Sequence, residues 1–199
     1  MITDYYEVTV DPINDPISLS EAKDWLRVRS TADDALISAL ITTATIAGEK
    51  FTNRLFLSRT IAGYFSGLEA SQFESVPFVT LRRAPLGAVS SVEIYSGGAY
   101  VAFTDYSVKN TQTFPRILFN NGIYDAAPDS DATYPLRITF TAGYGTSADV
   151  PEPIKTALKA HLAFLYENRG DVVADGALGM PLETKAIYQG KYRILNTFG

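Results

Sequence analysis

The chain has 199 residues, of which 46 % are hydrophobic, so it can bury the core of one ample domain or of a domain with an inserted subdomain. It carries 17 basic and 22 acidic side chains, a net charge of -5, and no cysteine. The charge disfavours a DNA-reading protein, and the absence of cysteine excludes disulfides, thiolate metal sites and thiol nucleophiles. The chain lacks a signal-peptide pattern and a membrane-length apolar run, so we expect it to be soluble and unexported.

The N-terminal part predicts one edge strand followed by two helices. Residues 6–10 alternate between polar and apolar side chains, as in a short strand. Ser18 and Glu21 have the spacing of a capping box, which predicts a helix from there to about Val28. Apolar residues spaced by three and four then predict a long second helix over about 32–54.

The middle of the chain changes to a period of two, which is typical of strands. Short runs rich in Val, Ile, Thr, Tyr and Phe cover residues 59–65, 76–82, 89–95, 100–103, 106–108, 116–119 and 136–141. Between two of them, Ser96-Gly-Gly98 predicts a tight hairpin, because two glycines supply the positive φ angles of a primed turn. Gly143 and Gly145 then predict a sharp turn from strand to helix.

The C-terminal part predicts a third helix that starts near Pro151 or Pro153 and ends at 168–170. Residues 171–184 contain glycine and proline without periodicity and indicate a linker. We therefore predict an α+β fold with helices at both ends of the chain, an antiparallel sheet or sandwich between them and an extended tail. The predicted segments are 1–57 and 150–170 for the helical parts, 58–149 for the sheet and 171–199 for the linker and tail.

Motifs for catalysis or cofactor binding are missing, so we expect no catalytic, cofactor or metal residues and no enzyme activity. His161 is the only histidine, and its place on the apolar face of a helix indicates a structural role. Asp33 and Asp34 are expected to begin a helix. The acidic run 125–131 lacks the spacing of a calcium loop, so it indicates a solvated turn. A hydrolase built on His161 or on a carboxylate pair stays open as a rival.

Three segments, in this order, resemble the head-tail adaptor (connector) family of tailed bacteriophages. They are Pro16-Ile-Ser-Leu-Ser-Glu-Ala-Lys23, then 33–41 continuing to 49–54, then Tyr-Gly before Val150-Pro with Leu165-Tyr-Glu-Asn-Arg169. Residues 81–95 are similar to the family's proline-leucine turn between two strands. The resemblance implies a small helical bundle with an inserted β region. It also implies a structural protein of the virion neck, assembled in the host cytoplasm. It implies a dodecameric ring that joins the portal to the next head-completion or tail protein and lets DNA pass.

The resemblance also implies roles for residues of this chain. The implied core residues are Trp25, Leu36, Leu40, Phe51, Leu158, Leu162 and Tyr166. The candidate subunit-interface residues are Arg54 and Arg169, together with Arg82 and Arg83, whose position in an acidic chain favours strand capping or a subunit boundary. We expect the tail to be mobile alone and to order on the portal through Tyr188, Tyr192, Arg193, Ile194, Leu195 and Phe198.

Two further expectations concern the ring and its rivals. Twelve copies at a net charge of -5 would carry roughly -60, which favours an acidic lumen that repels DNA phosphates. The tyrosine-rich central strands also fit a carbohydrate- or protein-binding β-module. A neighbouring stopper or tail-completion protein is the other alternative.

Overall fold

The computed structural model describes residues 4–71, 74–111, 113–120, 123, 129, 132–168 and 180–194. The chain divides into two compact units, one of strands (Met1–Asp11 with Ser58–Gly143) and one of helices (Pro12–Leu57 with Tyr144–Gly199). The segment Ser58–Gly143 of the strand unit is inserted between the second and third helices, and its first strand precedes the first helix. The predicted α+β fold with an inserted antiparallel sheet is therefore confirmed.

The described residues of the strand unit form two antiparallel sheets. Its strands are β1 (Tyr5–Val10), β2 (Arg59–Phe65), β3 (Glu69–Ser71), β4 (Glu74–Thr80), β5 (Leu86–Ser96), β6 (Ala99–Ala102), β7 (Tyr106–Lys109), β8 (Arg116–Phe119) and β9 (Leu136–Ala142). A five-stranded sheet has the order β1-β2-β9-β5-β6, and a four-stranded sheet has the order β3-β4-β8-β7. The expected edge strand near the N-terminus is β1, and β3 is a strand that the sequence did not predict.

Alternating side chains give the five-stranded sheet one apolar face. In β9 every second residue is buried, and Ile138 and Phe140 are fully enclosed. Their register partners in β2 and β5 include the buried Ile61 and Val92. Because side chains alternate along a strand, the intervening residues of the same strands point to the opposite face. The predicted hairpin joins β5 and β6, with positive φ at Gly97 and Gly98.

The helical unit contains α1 (Leu19–Leu26), α2 (Asp34–Thr52), α3 (Glu152–Glu167) and α4 (Leu182–Lys191). The predicted capping box at the start of α1 is confirmed: the Glu21 amide donates to Ser18 Oγ, and the Ser18 amide donates to the Glu21 carboxylate. The hydrogen bonds that the Ser18 amide and hydroxyl donate to the Glu21 carboxylate hold the pKa of Glu21 below its usual value. Gly143 and Gly145 both have positive φ, as the turn between β9 and α3 requires.

One buried cluster stabilises the helical unit. Its fully enclosed members come from α1, α2, α3 and α4 and from the segment after α2. They include Ala22, Ile37, Ala44, Phe56, Ile154, Ala157, Leu158, Leu162 and Tyr188. The predicted core positions Leu158 and Leu162 are thus buried, and Leu40, Phe51 and Tyr166 are partly buried. Trp25 and Leu36 were predicted wrongly as core residues, because they are 49 % and 36 % exposed on their helices.

The prediction of an extended C-terminal tail is wrong for residues 182–194. Pro181 precedes the first turn of α4, and the helix buries Thr184 and Tyr188 in the bundle. The glycines and prolines before residue 184 hid this helix in the sequence, and only ten residues carry its pattern. The predicted boundary of the first segment also changes, because β1 pairs with β2 and belongs to the strand unit.

Candidate assembly surfaces

A group of tyrosines covers the outward face of the five-stranded sheet, and we call it the tyrosine face. It consists of Tyr5, Tyr64, Tyr95, Tyr100 and Tyr134. Ring centroids lie 5.8 Å apart for Tyr5 and Tyr64, and 5.1 Å apart for Tyr95 and Tyr100. Tyr64 links the group, with its ring 6.3 Å from Tyr100 and 6.1 Å from Tyr134. Strand register places the rings together, since Tyr5 opposes Tyr64 and Tyr95 opposes Tyr100.

An ion pair lies at the centre of the tyrosine face. The Arg137 guanidinium donates to both carboxylate oxygens of Glu93 at 2.8 Å and stacks 4.2 Å above the Tyr100 ring. The hydrogen bonds from Arg137 hold the pKa of Glu93 below its usual value. Two parallel hydrogen bonds between a guanidinium and a carboxylate fix the relative orientation of the two groups. The central charge is therefore neutralised within the chain, and the surrounding surface is aromatic.

Acidic groups lie at the margin of the tyrosine face. Glu7 is exposed on β1, with its carboxylate 3.5 Å from the Tyr64 hydroxyl. The Asp129 carboxylate accepts hydrogen bonds from the amides of Gly97 and Gly98, so it caps the β5-β6 turn. A shallow depression of about 450 Å³ lies beside Asp129, and its walls include three of the tyrosines. The face thus combines an aromatic centre with a negative margin.

Four basic side chains lie at one end of the four-stranded sheet, and we call this group the basic end. Arg116 opposes both Thr80 and Lys109 in the register, and Arg82 and Arg83 follow the end of β4 after Leu81. The guanidinium of Arg116 stacks 4.7 Å from the Phe78 ring, and that of Arg83 stacks 4.5 Å from the Tyr6 ring. The exposed Glu69 carboxylate is nearby, and Thr80 binds it through its amide and hydroxyl.

The predicted portal-binding residues do not form one exposed group. Tyr188 is completely buried and Ile194 is 4 % exposed, so both belong to the interior of the helical unit. Tyr192 is half-buried, whereas Arg193 is exposed, with its guanidinium 4.7 Å from the Phe51 ring. The predictions for Tyr188 and Ile194 are therefore corrected, because a partner cannot contact an enclosed side chain. Leu195 and Phe198 lie outside the described residues.

The arginines predicted for a subunit interface lie at different places in the fold. Arg54 is 8 % exposed, and its Nε donates to the Tyr192 carbonyl at 2.6 Å, so it holds the end of α4 instead of contacting another subunit. Asn53 assists, because its side-chain amide donates to the Ile194 carbonyl at 2.7 Å. Arg82 is exposed and Arg83 is half-buried at the basic end. Arg169 lies outside the described residues.

The buried face of α4 carries two polar side chains, those of Thr184 and Tyr188. Among the described residues, the Tyr188 hydroxyl and the Thr184 hydroxyl are buried without a hydrogen bond. Burial raises the pKa of Tyr188 well above its ordinary value of 10.0. Gly48 of α2 makes room for the ring, since a Cβ there would lie 2.7 Å from the Tyr188 hydroxyl. The docking of α4 therefore depends on a close approach between two helices.

The remaining candidates for chemistry lie apart from these surfaces. His161 is fully buried on α3, which leaves a substrate no access to it. No group of three His, Asp or Glu side chains in the described ranges could hold a metal ion. Asp33 and Asp34 begin α2, where Asp33 accepts a hydrogen bond from the Tyr166 hydroxyl and Asp34 pairs with Lys23. None of the described helices combines the length and apolarity that a membrane crossing needs.

Sequence reasoning noticed the tyrosine-rich strands but missed the tyrosine face. Four of the tyrosines lie in strands with a local period-two pattern and Tyr134 precedes β9, yet five strands must pair in the correct register before the rings meet. A sequence signal for it exists, because in several strands the tyrosine lies at a position that faces away from the buried side chains. That signal does not show which strands are neighbours in the sheet.

Comparison with known proteins yields only structural relatives. No protein-family model matches the chain, and no curated protein matches it. A chain from the neck of an empty GTA particle, computed with C6 symmetry, matches with a TM-score of 0.77 at 21 % identity, covering 98 % of both chains. This chain has the fold of a gene transfer agent neck chain.

Further gene transfer agent (GTA) structures match with the same identity. A chain in the virion of the native GTA particle matches with a TM-score of 0.73 and covers 98 % of this chain and 97 % of that one. A chain from the neck of the native GTA particle, computed with C12 symmetry, has a TM-score of 0.64 over 97 % and 98 %. The GTA similarity thus includes both units, because it extends over nearly the whole chain.

Proposed function

We propose that this protein is a structural head-tail adaptor in the neck of a tailed phage or phage-like particle. It forms a ring, dodecameric as the family resemblance implies, that joins the portal to the next head-completion or tail protein and lets DNA pass. The observation that carries the proposal is the shared fold with GTA neck chains over 98 % of both chains. The adaptor-like order of segments from Pro16 to Arg169 supports the same role independently.

The role depends on surfaces and needs no catalytic group. Tyrosine and arginine are enriched in the centres of protein interfaces, and both abound on the tyrosine face and the basic end. A rival hydrolase built on His161 is disfavoured, because that side chain is fully buried. We therefore propose a protein without enzyme activity.

A binding module for carbohydrate is the second candidate, since aromatic side chains do lie on one sheet face. Sugars stack on open ring faces, but Arg137 already covers one face of Tyr100 and the Tyr64 and Tyr100 planes meet at 64°. This edge-on arrangement fits a protein partner better. A glycan array checks the point, and specific glycan binding by the purified chain would favour the rival.

The portal contact is proposed for the end of the chain and is tested by two truncations. Deleting residues 195–199 removes Leu195 and Phe198 but leaves α4, so we expect a folded chain that no longer binds the portal of the same particle. Deleting 184–199 also removes the buried Tyr188 and is expected to destabilise the helical unit.

The decisive experiment mixes the purified chain with that portal and images the product by electron microscopy. A ring of this protein stacked on the portal is the expected result. A chain that instead binds only to a preformed portal-adaptor complex would be a stopper or tail-completion protein. A resolved ring would also test the expected acidic lumen, which a basic lining would contradict.

A further inference from the structure

We propose that the tyrosine face of one copy binds the basic end of the next copy. This inference rests on the proposed ring, and it names the two surfaces of the strand unit through which neighbouring copies meet. A ring needs two different, complementary surfaces on each subunit, because a head-to-tail contact never pairs a surface with itself. The strand unit has two such surfaces on different sheets.

Charge supports this pairing. The chain has a net charge of -5, so any two copies repel each other unless basic groups meet acidic ones. The basic end has four of the 17 basic side chains and, bound by Thr80 beside them, the carboxylate of Glu69, so its net charge is positive. The tyrosine face has its central Arg137 neutralised by Glu93, and Glu7 and Asp129 form its margin. A pairing of two tyrosine faces would instead bring their acidic margins together.

The chemistry of the two surfaces also fits. An arginine side chain attracts the face of a tyrosine ring and pairs with carboxylates, so the basic end offers what the tyrosine face accepts. Two of the basic groups are already stacked on rings of their own chain, Arg83 on Tyr6 and Arg116 on Phe78. Side chains held in this way lose less conformational freedom on binding.

The test uses the absence of cysteine from the natural chain. One variant carries Ala102→Cys, an exposed position that opposes Glu93 on the outward face of β6. A second carries Ser107→Cys, which is exposed and two residues before Lys109 on the same face of β7. The variants are mixed at high concentration and treated with a flexible bis-maleimide.

We expect cross-linked dimers that contain one copy of each variant, several-fold above the yield from either variant alone. A chain with both cysteines should give a ladder of higher oligomers. Ile13→Cys, at a 99 % exposed position of the helical unit, replaces Ala102→Cys in the control mixture. Mixed dimers no more abundant than in this control would overturn the proposal, as would an equal yield of dimers from Ala102→Cys alone.

Charge-reversal variants test whether the basic end makes the contact that gives mixed dimers. Arg82→Glu with Lys109→Glu should lower the yield of mixed dimers roughly tenfold, because like charges then face each other. Arg29→Glu with Lys50→Glu makes the same change in net charge at exposed positions of the helical unit and should have little effect. An equal loss in both double variants would show a general charge effect and contradict the assigned surface.

Two further readouts separate this inference from its alternatives. If Arg82→Glu abolishes binding of a DNA duplex and no mixed dimer forms, the basic end binds phosphates and the proposed contact is wrong. A ring on the portal without mixed cross-links would refute the contact but keep the adaptor function. Mixed cross-links without portal binding would keep the contact and refute that function.

Discussion

The buried hydroxyl of Tyr188 leads to a prediction with an unusual sign. Replacing a buried tyrosine by phenylalanine normally destabilises a protein, because a hydrogen bond is lost. Here the hydroxyl has no partner among the described residues, and the residue is 0 % exposed. An unsatisfied buried polar group costs about 1–3 kcal/mol. We therefore expect Tyr188→Phe to raise the free energy of unfolding of the helical unit by an amount in this range.

The measurement needs a probe that belongs to the helical unit. Trp25 is the only tryptophan and lies in α1, so its fluorescence follows this unit during unfolding in urea or on heating. For a chain of this size, each kcal/mol corresponds to a shift of roughly 2–4 °C in Tm. Tyr188→Ala serves as the comparison, because it leaves a cavity and should cost about 3–5 kcal/mol.

The pH dependence of the stability of the wild type and of Tyr188→Phe gives a second readout. Burial raises the pKa of Tyr188 in the folded state above its ordinary value of 10.0. The neutral hydroxyl is therefore favoured by folding, and the wild type should lose stability as the pH rises above about 10. Tyr188→Phe lacks this loss, so its advantage should grow in that range. A destabilised Tyr188→Phe would show that the hydroxyl has a hydrogen-bond partner and would refute the reasoning.

Three other substitutions test local features of the two units. Gly48→Ala should destabilise the helical unit by about 1–3 kcal/mol, because the added methyl group overpacks against Tyr188. This cost outweighs the better helix propensity of alanine. In a double-mutant cycle, Tyr188→Phe should relieve part of the cost of Gly48→Ala. Ser18→Ala removes the capping box and should cost about 1 kcal/mol in the same fluorescence assay. Glu93→Gln should cost roughly 1 kcal/mol at neutral pH by calorimetry. Because Arg137 lowers the pKa of Glu93, this difference should vanish as the pH falls through that pKa, and a constant difference would contradict the ion-pair explanation.

The sequence predicted most elements because their signals are local. The capping box at Ser18 and the glycine pair at 97–98 depend on neighbours only a few residues away, and both structures form as expected. Strands β2 and β8 begin and end at the predicted residues, since alternation over a short run is enough to define them. The α+β class followed from the order of these elements, and the bundle with an inserted sheet followed from the family resemblance.

Amino-acid order by itself therefore determined the type of nearly every element, the absence of cysteine chemistry and the acidic charge. Only the tertiary structure decided that residues 182–191 form a packed helix, because the burial of Tyr188 depends on Gly48, far away in the chain. It also decided that Arg54 holds the end of α4 and that tyrosines from separate strands share one face. The physical reason is the same in each case: strand order, register and helix packing are contacts between distant residues, and a local pattern contains no record of its partner.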